Sequence, residues 1–324
     1  MTERLDSWIV PSTVERARLD QYLVGQCADQ SRSQIQIWIR SGLVQVNGRP
    51  VKTGYMLQPG DKISLCRPAH PYPTAPFAED IPLDVVYEDS DLAVINKPAG
   101  MVCHLGAGVH SGTLVNALLH RYGPLDSEDA VRPGIVHRLD KLTSGLLVIA
   151  RNTWTNRSLA QLFKSREVKK EYLALVNGEP DPPSGTIDLP LGRDTRDRKK
   201  MSIRARRKRT AVTHYRLEKT YGGLSLLRIR IETGRTHQIR VHLSQKGHPV
   251  VGDALYGGNR GRAIFHNHQV EAPALERLFL HACLLEFRHP RSGKILSFAA
   301  PLPPELDAYL ANLQSSVDHG KAVL

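Results

Sequence analysis

Several things are scarce or missing in this 324-residue sequence, and each absence excludes a class of protein. No apolar run approaches the roughly 18–20 residues of a membrane-spanning helix, so no membrane role is expected. The opening stretch MTERLDSWIVPSTVERARLD lacks the apolar core of a secretion signal. Cysteine is rare, and Cys27, Cys66, Cys103 and Cys283 lie far apart with no C-x-x-C pair. That argues against a disulfide scaffold or a cysteine zinc site and fits a reducing, cytoplasmic compartment. Acidic residues are the minority charge, with 32 Asp and Glu against 44 Lys and Arg, a net charge of +12. Such a surplus points to a polyanionic partner, usually nucleic acid.

Familiar catalytic signatures are absent too. The 14 histidines form no H-E-x-x-H or similar ligand spacing, so no metal is expected. GAGVHSG lacks both the Lys-Ser/Thr ending of a P-loop and the G-x-G-x-x-G order, so no nucleotide cofactor follows. Asp140, His137, Ser144, His237 and His281 invite a Ser-His-Asp triad, but there is no G-x-S-x-G elbow. Ser144–Gly145 reads instead as the start of a strand.

The composition that remains, 41% hydrophobic and 23% charged, is that of a globular protein large enough for two domains. Residues 68–82, PAHPYPTAPFAEDIP, hold five prolines and read as a semi-rigid linker. The unit before it, residues 16–67, is compact. RARLDQYLVGQ places Leu19, Tyr22 and Leu23 at helical spacing. SRSQIQIWIRSG offers Ser31 as N-cap, Ile35, Trp38 and Ile39 as an apolar face, and Gly42 as a stop. LVQVNGRPV alternates into an Asn-Gly turn, a strong hairpin signal. Arg32, Arg40, Arg49 and Lys52 decorate this helix-helix-hairpin and favour an RNA-docking surface over a purely structural domain.

Beyond the linker, residues 83–312 are expected to form the second domain. Strand-like runs dominate it: LDVVYED, DLAVINKP, SGLLVIA, KKEYLALV, AVTHYRLEKT and LSLLRIRIE. Helical patterns, GTLVNALLHRYG, TNRSLAQLFKS and THQIRVHLSQKG, are fewer and irregularly placed. Strands mostly follow strands, which predicts an α+β domain on a largely antiparallel mixed sheet. Residues 193–209 carry ten Lys or Arg against two Asp, a solvated loop or a surface that tracks phosphates.

One stretch concentrates the candidate chemistry. HRLDKLTSGLLVIA sets Asp140 in a short polar loop feeding an apolar strand. A partly desolvated carboxylate needs a cation to remain ionised. Candidates lie in ETGRTHQIRVHL, where Arg235 precedes Thr236, a residue suited to a helix N-cap. In KKEYLALVNG, alternation puts Lys170, Tyr172, Ala174 and Val176 on one face. Tyr172 either stacks on a base or belongs to the core; the pattern allows both.

The first unit, RLDQYL…SRSQIQIWIRSGLVQVNGRPV…LQPGDKISL, resembles the α-L RNA-binding motif, which grips folded RNA by shape and phosphates. The second resembles the RluA family of pseudouridine synthases over about residues 83–301. NKPAG, GTLVNAL, GIVHRLDKLTSGLLVIAR, KKEYLALV, PLGR, AVTHY, ETGRTHQIRVHL, GHPVVGDALYG and LHACLLEFRHP occur in the family's order. The pairing with an α-L unit is similar to the branch that modifies large-subunit (23S) ribosomal RNA. The resemblance implies that Asp140 is the catalytic aspartate and Arg235 the cation paired to it. It also implies that Tyr172 packs against the target base and that Arg138 fills the gap left by an extruded nucleotide. Arg32, Arg40 and Lys52 are expected to touch RNA.

Three departures from the family pattern bear on substrate choice: Leu142, the Cys103–Leu105 segment, and the very basic RARRKR stretch. The expected activity needs no cofactor, and one carboxylate suffices, as nucleophile or as base on the sugar. Glycoside hydrolysis would want a second carboxylate, for which Glu232 is a distant candidate. The expected partner is RNA and the expected state a monomer. Two other readings stand beside this one: a non-catalytic RNA-binding ribosome-assembly factor, and a synthase acting on transfer RNA.

Overall fold

A computed structural model describes residues 4–14, 16–27, 30, 32–67, 76–106, 109–127, 129, 131–197, 199–257 and 275–322. The chain divides into two units, Met1–Thr74 and Ala75–Leu324.

In the first unit, helices α1 (Leu19–Gln26) and α2 (Arg32–Arg40) cover a four-stranded sheet. Its order is β1-β4-β2-β3, with β1 Arg4–Ile9, β2 Val44–Val46, β3 Arg49–Pro50 and β4 Lys62–Arg67. The expected apolar residues make its core: Leu19, Leu23, Ile35, Trp38 and Ile39 are buried against Val44, Leu57, Ile63 and Leu65. Asn47 and Gly48 take φ of 50° and 75°, the left-handed pair that a two-residue hairpin turn requires. Strand β1 lies outside the expected 16–67 boundary. It pairs antiparallel with β4 and is clamped there by Asp6 and Arg67. Ser31, the expected cap of α2, lies outside the described residues.

The second unit is built on a nine-stranded sheet in the order β5-β6-β7-β14-β8-β13-β12-β9, with β15 paired to β14. These strands are β5 Val85–Glu88, β6 Leu92–Lys97, β7 Ser144–Ala150, β8 Lys169–Asn177 and β9 Ser184–Asp188, then β12 Val212–Tyr221, β13 Leu224–Ile231, β14 Leu280–Arg288 and β15 Ile295–Ala299. Two short strands, β10 Gly192–Arg193 and β11 Met201–Ser202, form a separate pair within the basic block. Every pairing in the large sheet is antiparallel except β7 with β14, so the α+β, largely antiparallel mixed architecture is the observed one.

Strand β7 is buried at every residue because helices cover both of its faces. Leu146 and Val148 pack under Leu159 of α4 (Thr153–Ser165), while Leu147 and Ile149 pack against Leu114 and Leu118 of α3 (Leu114–Tyr122). Helix α3 begins at a reciprocal cap in which Thr113 Oγ1 accepts from Asn116 N and Asn116 Oδ1 accepts from Thr113 N. Helix α5 (Gln238–Gln245) buries Ile239 and Leu243 against β8 and β13. Helix α6 (Pro304–Ala322) packs Leu306, Tyr309, Leu310 and Leu313 on Leu175 and Phe279.

Two expected boundaries move. Residues 76–82 are not a free spacer: the Phe77 carbonyl accepts from Asn116 Nδ2 at 2.8 Å, and Glu79 Oε1 accepts from Gly112 N at 2.9 Å. They are anchored to the start of α3, while residues 68–75 lie outside the described residues. At the other end α6 runs past 312, because Leu313 still belongs to the core.

Candidate active site

Asp140 sits in the loop between α3 and β7, and the loop is tied from below. The Lys141 carbonyl accepts from Gly100 N at 2.7 Å, and the Leu139 carbonyl from Cys103 Sγ at 3.4 Å. The donors are the last residue of NKPAG and a cysteine three residues beyond it. The fully buried Lys97 ammonium also donates to the Pro98 and Met101 carbonyls at 2.7 and 2.9 Å. This framework holds a charged loop in one conformation, leaving the Asp140 side chain 17% exposed.

The expected ion pair between Asp140 and Arg235 is not made. Arg240 takes that place, its Nη1 donating to Asp140 Oδ2 at 3.2 Å. Arg235 turns outward and its Nε donates to the Thr210 carbonyl at 3.2 Å. The cause is where α5 begins. Thr236 is not its cap: the chain enters the helix at His237, in a left-handed conformation at φ 55°, and no side chain caps it. Arg240 then falls on the inward side of a helix buried from Gln238 to Leu243. Its guanidinium grips Asp253 through Nε at 2.7 Å and Nη2 at 2.9 Å and lies 5.0 Å from the Tyr256 ring centre. Burial works against the Arg240 charge, but the Asp253 bonds and Asp140 outweigh it and raise its pKa.

Sequence reasoning weighed His237 only as a triad member and missed Tyr256. His237 Nε2 lies 3.9 Å from Asp140 Oδ2, and its Nδ1 meets the Tyr256 hydroxyl at 2.8 Å. That hydroxyl accepts from Met201 N at 2.8 Å, so its own hydrogen is free to point at Nδ1. Burial lowers the His237 pKa, although the Asp140 charge pulls the other way.

Tyr172 is placed as its alternation predicts: Lys170, Tyr172, Ala174 and Val176 are all buried along β8. It shares the Asp140 cleft with Arg138, Leu139, Ile231 and Leu280, so it is both a core residue and a cleft wall. Burial, with Asp140 nearby, pushes its phenol well above the ordinary tyrosine pKa, so it stays protonated. Arg138 is exposed at the mouth, where its Nη1 meets His104 Nε2 at 3.2 Å. Among the described residues lining the cleft, Asp140 is the one carboxylate.

The other candidates have different neighbours. Ser144 is 3% exposed and accepts from Arg277 Nη2 at 2.8 Å while meeting His281 Nδ1 at 2.9 Å, a buried structural network and no triad. Glu232 is bound by His214 Nε2 and Arg166 Nη1, each at 2.9 Å, and the His214 bond holds its pKa low. In the first unit Arg32 is engaged by the buried Asp20, which also binds Arg18 and Gln36. Arg40 and Lys52 flank an open groove of about 520 Å³.

Known proteins resemble this chain over most of its length. Residues 91–245 match the RNA pseudouridylate synthase family model, and residues 17–63 match the S4 domain. An RNA pseudouridine synthase from Chloroflexus aurantiacus is 50% identical over 311 residues, covering 96% of this chain and 94% of that protein. Ribosomal large subunit pseudouridine synthase D of Vibrio parahaemolyticus is 40% identical over 304 residues, 93% of this chain and 92% of that protein. Among solved structures, human RNA pseudouridylate synthase domain containing 1 aligns with TM-score 0.56 at 30% identity, over 72% of this chain and 89% of that one. The chain belongs to the RluA-type RNA pseudouridine synthases, with an S4 domain ahead of the catalytic unit.

Proposed function

We propose that this enzyme isomerises uridines of large-subunit ribosomal RNA, with Asp140 as the carboxylate that performs the chemistry. The observation that carries the reading is the pairing of Asp140 with Arg240 in a cleft walled by Tyr172. The reaction breaks the C1′–N1 bond, turns the ring and closes C1′–C5; C5 then loses its hydrogen as a proton and N1 gains one, so the atoms balance. One carboxylate suffices, attacking C1′ or taking a proton from the sugar. Either role needs the carboxylate held in one orientation, which the Arg240 hydrogen bond provides. Hydrolysis would need a second carboxylic acid held protonated. Glu232, kept ionised by His214, does not supply one.

In this reading Tyr172 packs on the uracil and Arg138 enters the gap the nucleotide leaves. Arg235, at the rim, meets the RNA backbone. Everting a nucleotide costs a few kcal/mol, and the exposed Arg204, Arg206, Arg207, Lys208 and Arg209 can offset it through phosphate contacts. The ribosomal assignment is supported by the S4 domain and by the likeness to a large-subunit synthase D. Arg40 and Lys52 beside the groove of that domain suit RNA phosphates. The same reading takes the enzyme to work as a cytoplasmic monomer.

Mapping pseudouridines in total RNA from cells with and without the gene tests the substrate; sites lost only from transfer RNA would overturn it. Asp140→Ala should abolish tritium release from RNA labelled at uracil C5 while leaving RNA binding intact. Surviving turnover would remove Asp140 from its role.

A further inference from the structure

A second, larger cavity of about 530 Å³ lies beside the Asp140 cleft and shares Arg138, Tyr172, Ile231 and Arg235 with its walls. Its floor is formed around Phe163. The His137 ring stacks on that residue with centroids 4.4 Å apart, and the Lys170 ammonium lies 5.3 Å from the same ring centre. His137 Nε2 accepts from Val148 N at 3.0 Å, which puts the ring hydrogen on Nδ1. Burial, reinforced by the Lys170 charge, pushes the His137 pKa down to about 3, so the ring is a neutral donor.

Lys170 is only 6% exposed, and among the described residues its ammonium has no hydrogen-bond or ion-pair partner. A buried ammonium without an acceptor is unfavourable, and burial lowers its pKa to about 8. Glu232, the carboxylate on the cavity wall, is already engaged by His214 and Arg166. Among the described side chains around Phe163, His137 and Lys170 therefore offer donors. Around it stand the cations Arg132, Lys164 and Arg166.

We propose that this cavity receives the base of the nucleotide immediately 5′ or 3′ of the target uridine, everted together with it, and that the floor selects guanine. The inference rests on the reading of the Asp140 cleft as the uridine site. The shared walls put the two occupants side by side, as consecutive nucleotides of one strand are. Guanine presents two neighbouring acceptors, O6 and N7, to paired donors, whereas adenine would turn its N6 amino group against an ammonium. The volume is within the range of small-ligand pockets. The linking phosphate remains at the cationic rim, and no covalent step is involved.

The test uses a stem-loop carrying a uridine located by the mapping above, with the full-length enzyme under single-turnover conditions. Guanine is expected on one side of the uridine; mapped sites with no adjacent guanine overturn the inference. Replacing that guanine by adenine or by an abasic residue should lower the rate at subsaturating enzyme by about 10- to 100-fold. Replacement by 7-deazaguanine should give a smaller loss. In Lys170→Met the gap between guanine and adenine should close. Equal turnover of guanine and adenine RNAs by the unaltered enzyme overturns the proposal without recourse to the variant. A methylphosphonate at the linking position that abolishes the Lys170→Met effect while the base does not would assign the floor to phosphate instead. Failure of the parent stem-loop to react at all would sink the Asp140 reading, and this inference with it.

Discussion

One guanidinium serves two carboxylates: Arg240 donates to Asp140 at 3.2 Å while its remaining nitrogens hold Asp253 at 2.7 and 2.9 Å. Asp253 is fully buried and anchors the fork from behind, so the aim at Asp140 is set by a group that need not touch RNA. The arrangement separates a structural contact from one directed at the carboxylate of the cleft, on a single side chain.

Arg240→Lys should expose that division. A lysine retains charge but not the fork, so loss of one charge-assisted bond, about 1.5–3 kcal/mol, predicts a fall in single-turnover rate of about 10- to 150-fold. Arg240→Met also strands Asp253 and should destabilise the fold by about 3–5 kcal/mol, read from denaturant midpoints. Arg235→Ala should spare the rate at saturation and weaken RNA binding. A large loss of saturated rate in Arg235→Ala with little in Arg240→Lys would reverse the assignment.

Arg138 is exposed and steadied by His104. If it fills the space left by an everted uridine, Arg138→Ala should lower kcat/KM by at least about tenfold on a paired uridine. On an unpaired one, where little unstacking is needed, the loss should be small. Equal losses on both RNAs would make Arg138 a plain phosphate contact.

The exposed cations of residues 204–209 predict a strong salt dependence. With roughly six to ten phosphate contacts, affinity should fall about 10³–10⁵-fold between 50 and 200 mM salt. Changing Arg206, Arg207 and Lys208 together to Ala should reduce the log–log slope by about 2–3. An unchanged slope would mean that the block points away from the RNA.

Asp91 gives a pH prediction. The Arg291 bonds, at 2.5 and 2.6 Å, hold its pKa at about 2, below the roughly 3.9 of an unfolded chain. Above about pH 4 the carboxylate is ionised in both states and the stabilisation is complete. Between about pH 4 and pH 2 the unfolded chain takes up the proton first, and the contribution is lost. Because Arg291 is 62% exposed, solvent screening limits it to about 1 kcal/mol or less. Asp91→Asn should remove that amount near neutral pH and flatten the acid limb of a denaturant-midpoint profile.

What the sequence revealed follows its local periodicities. The face carrying Lys170 and Tyr172, the apolar strand of β7 and the Asn47–Gly48 turn depend on neighbours within a few residues, and all appear as expected. The misassigned cation depends on a helix start. Thr236 looks like a helix cap, but the chain enters the helix one residue later, at the left-handed His237, and Arg240 in place of Arg235 reaches Asp140. A signal for Arg240 was nonetheless present: a charge between Ile239 and Val241, in a helix apolar enough to be buried, needs a buried acid. Tyr256 and Asp253 were beyond reach because their roles arise from pairing across the fold. Strand β1 escaped because its partner β4 lies about sixty residues away.

The one parallel pairing in the large sheet has a consequence for biosynthesis. Strand β14 lies between β7, which follows the Asp140 loop, and β8, which carries Tyr172. Gly145 admits it closely; a Cβ there would come within 2.3 Å of the Ala282 carbonyl oxygen. The two halves of the cleft are thus joined by a segment translated more than a hundred residues after the second of them. A nascent chain on the ribosome cannot hold the two walls of this cleft together until residues 280–288 emerge and insert, so the cleft closes long after both walls have been made.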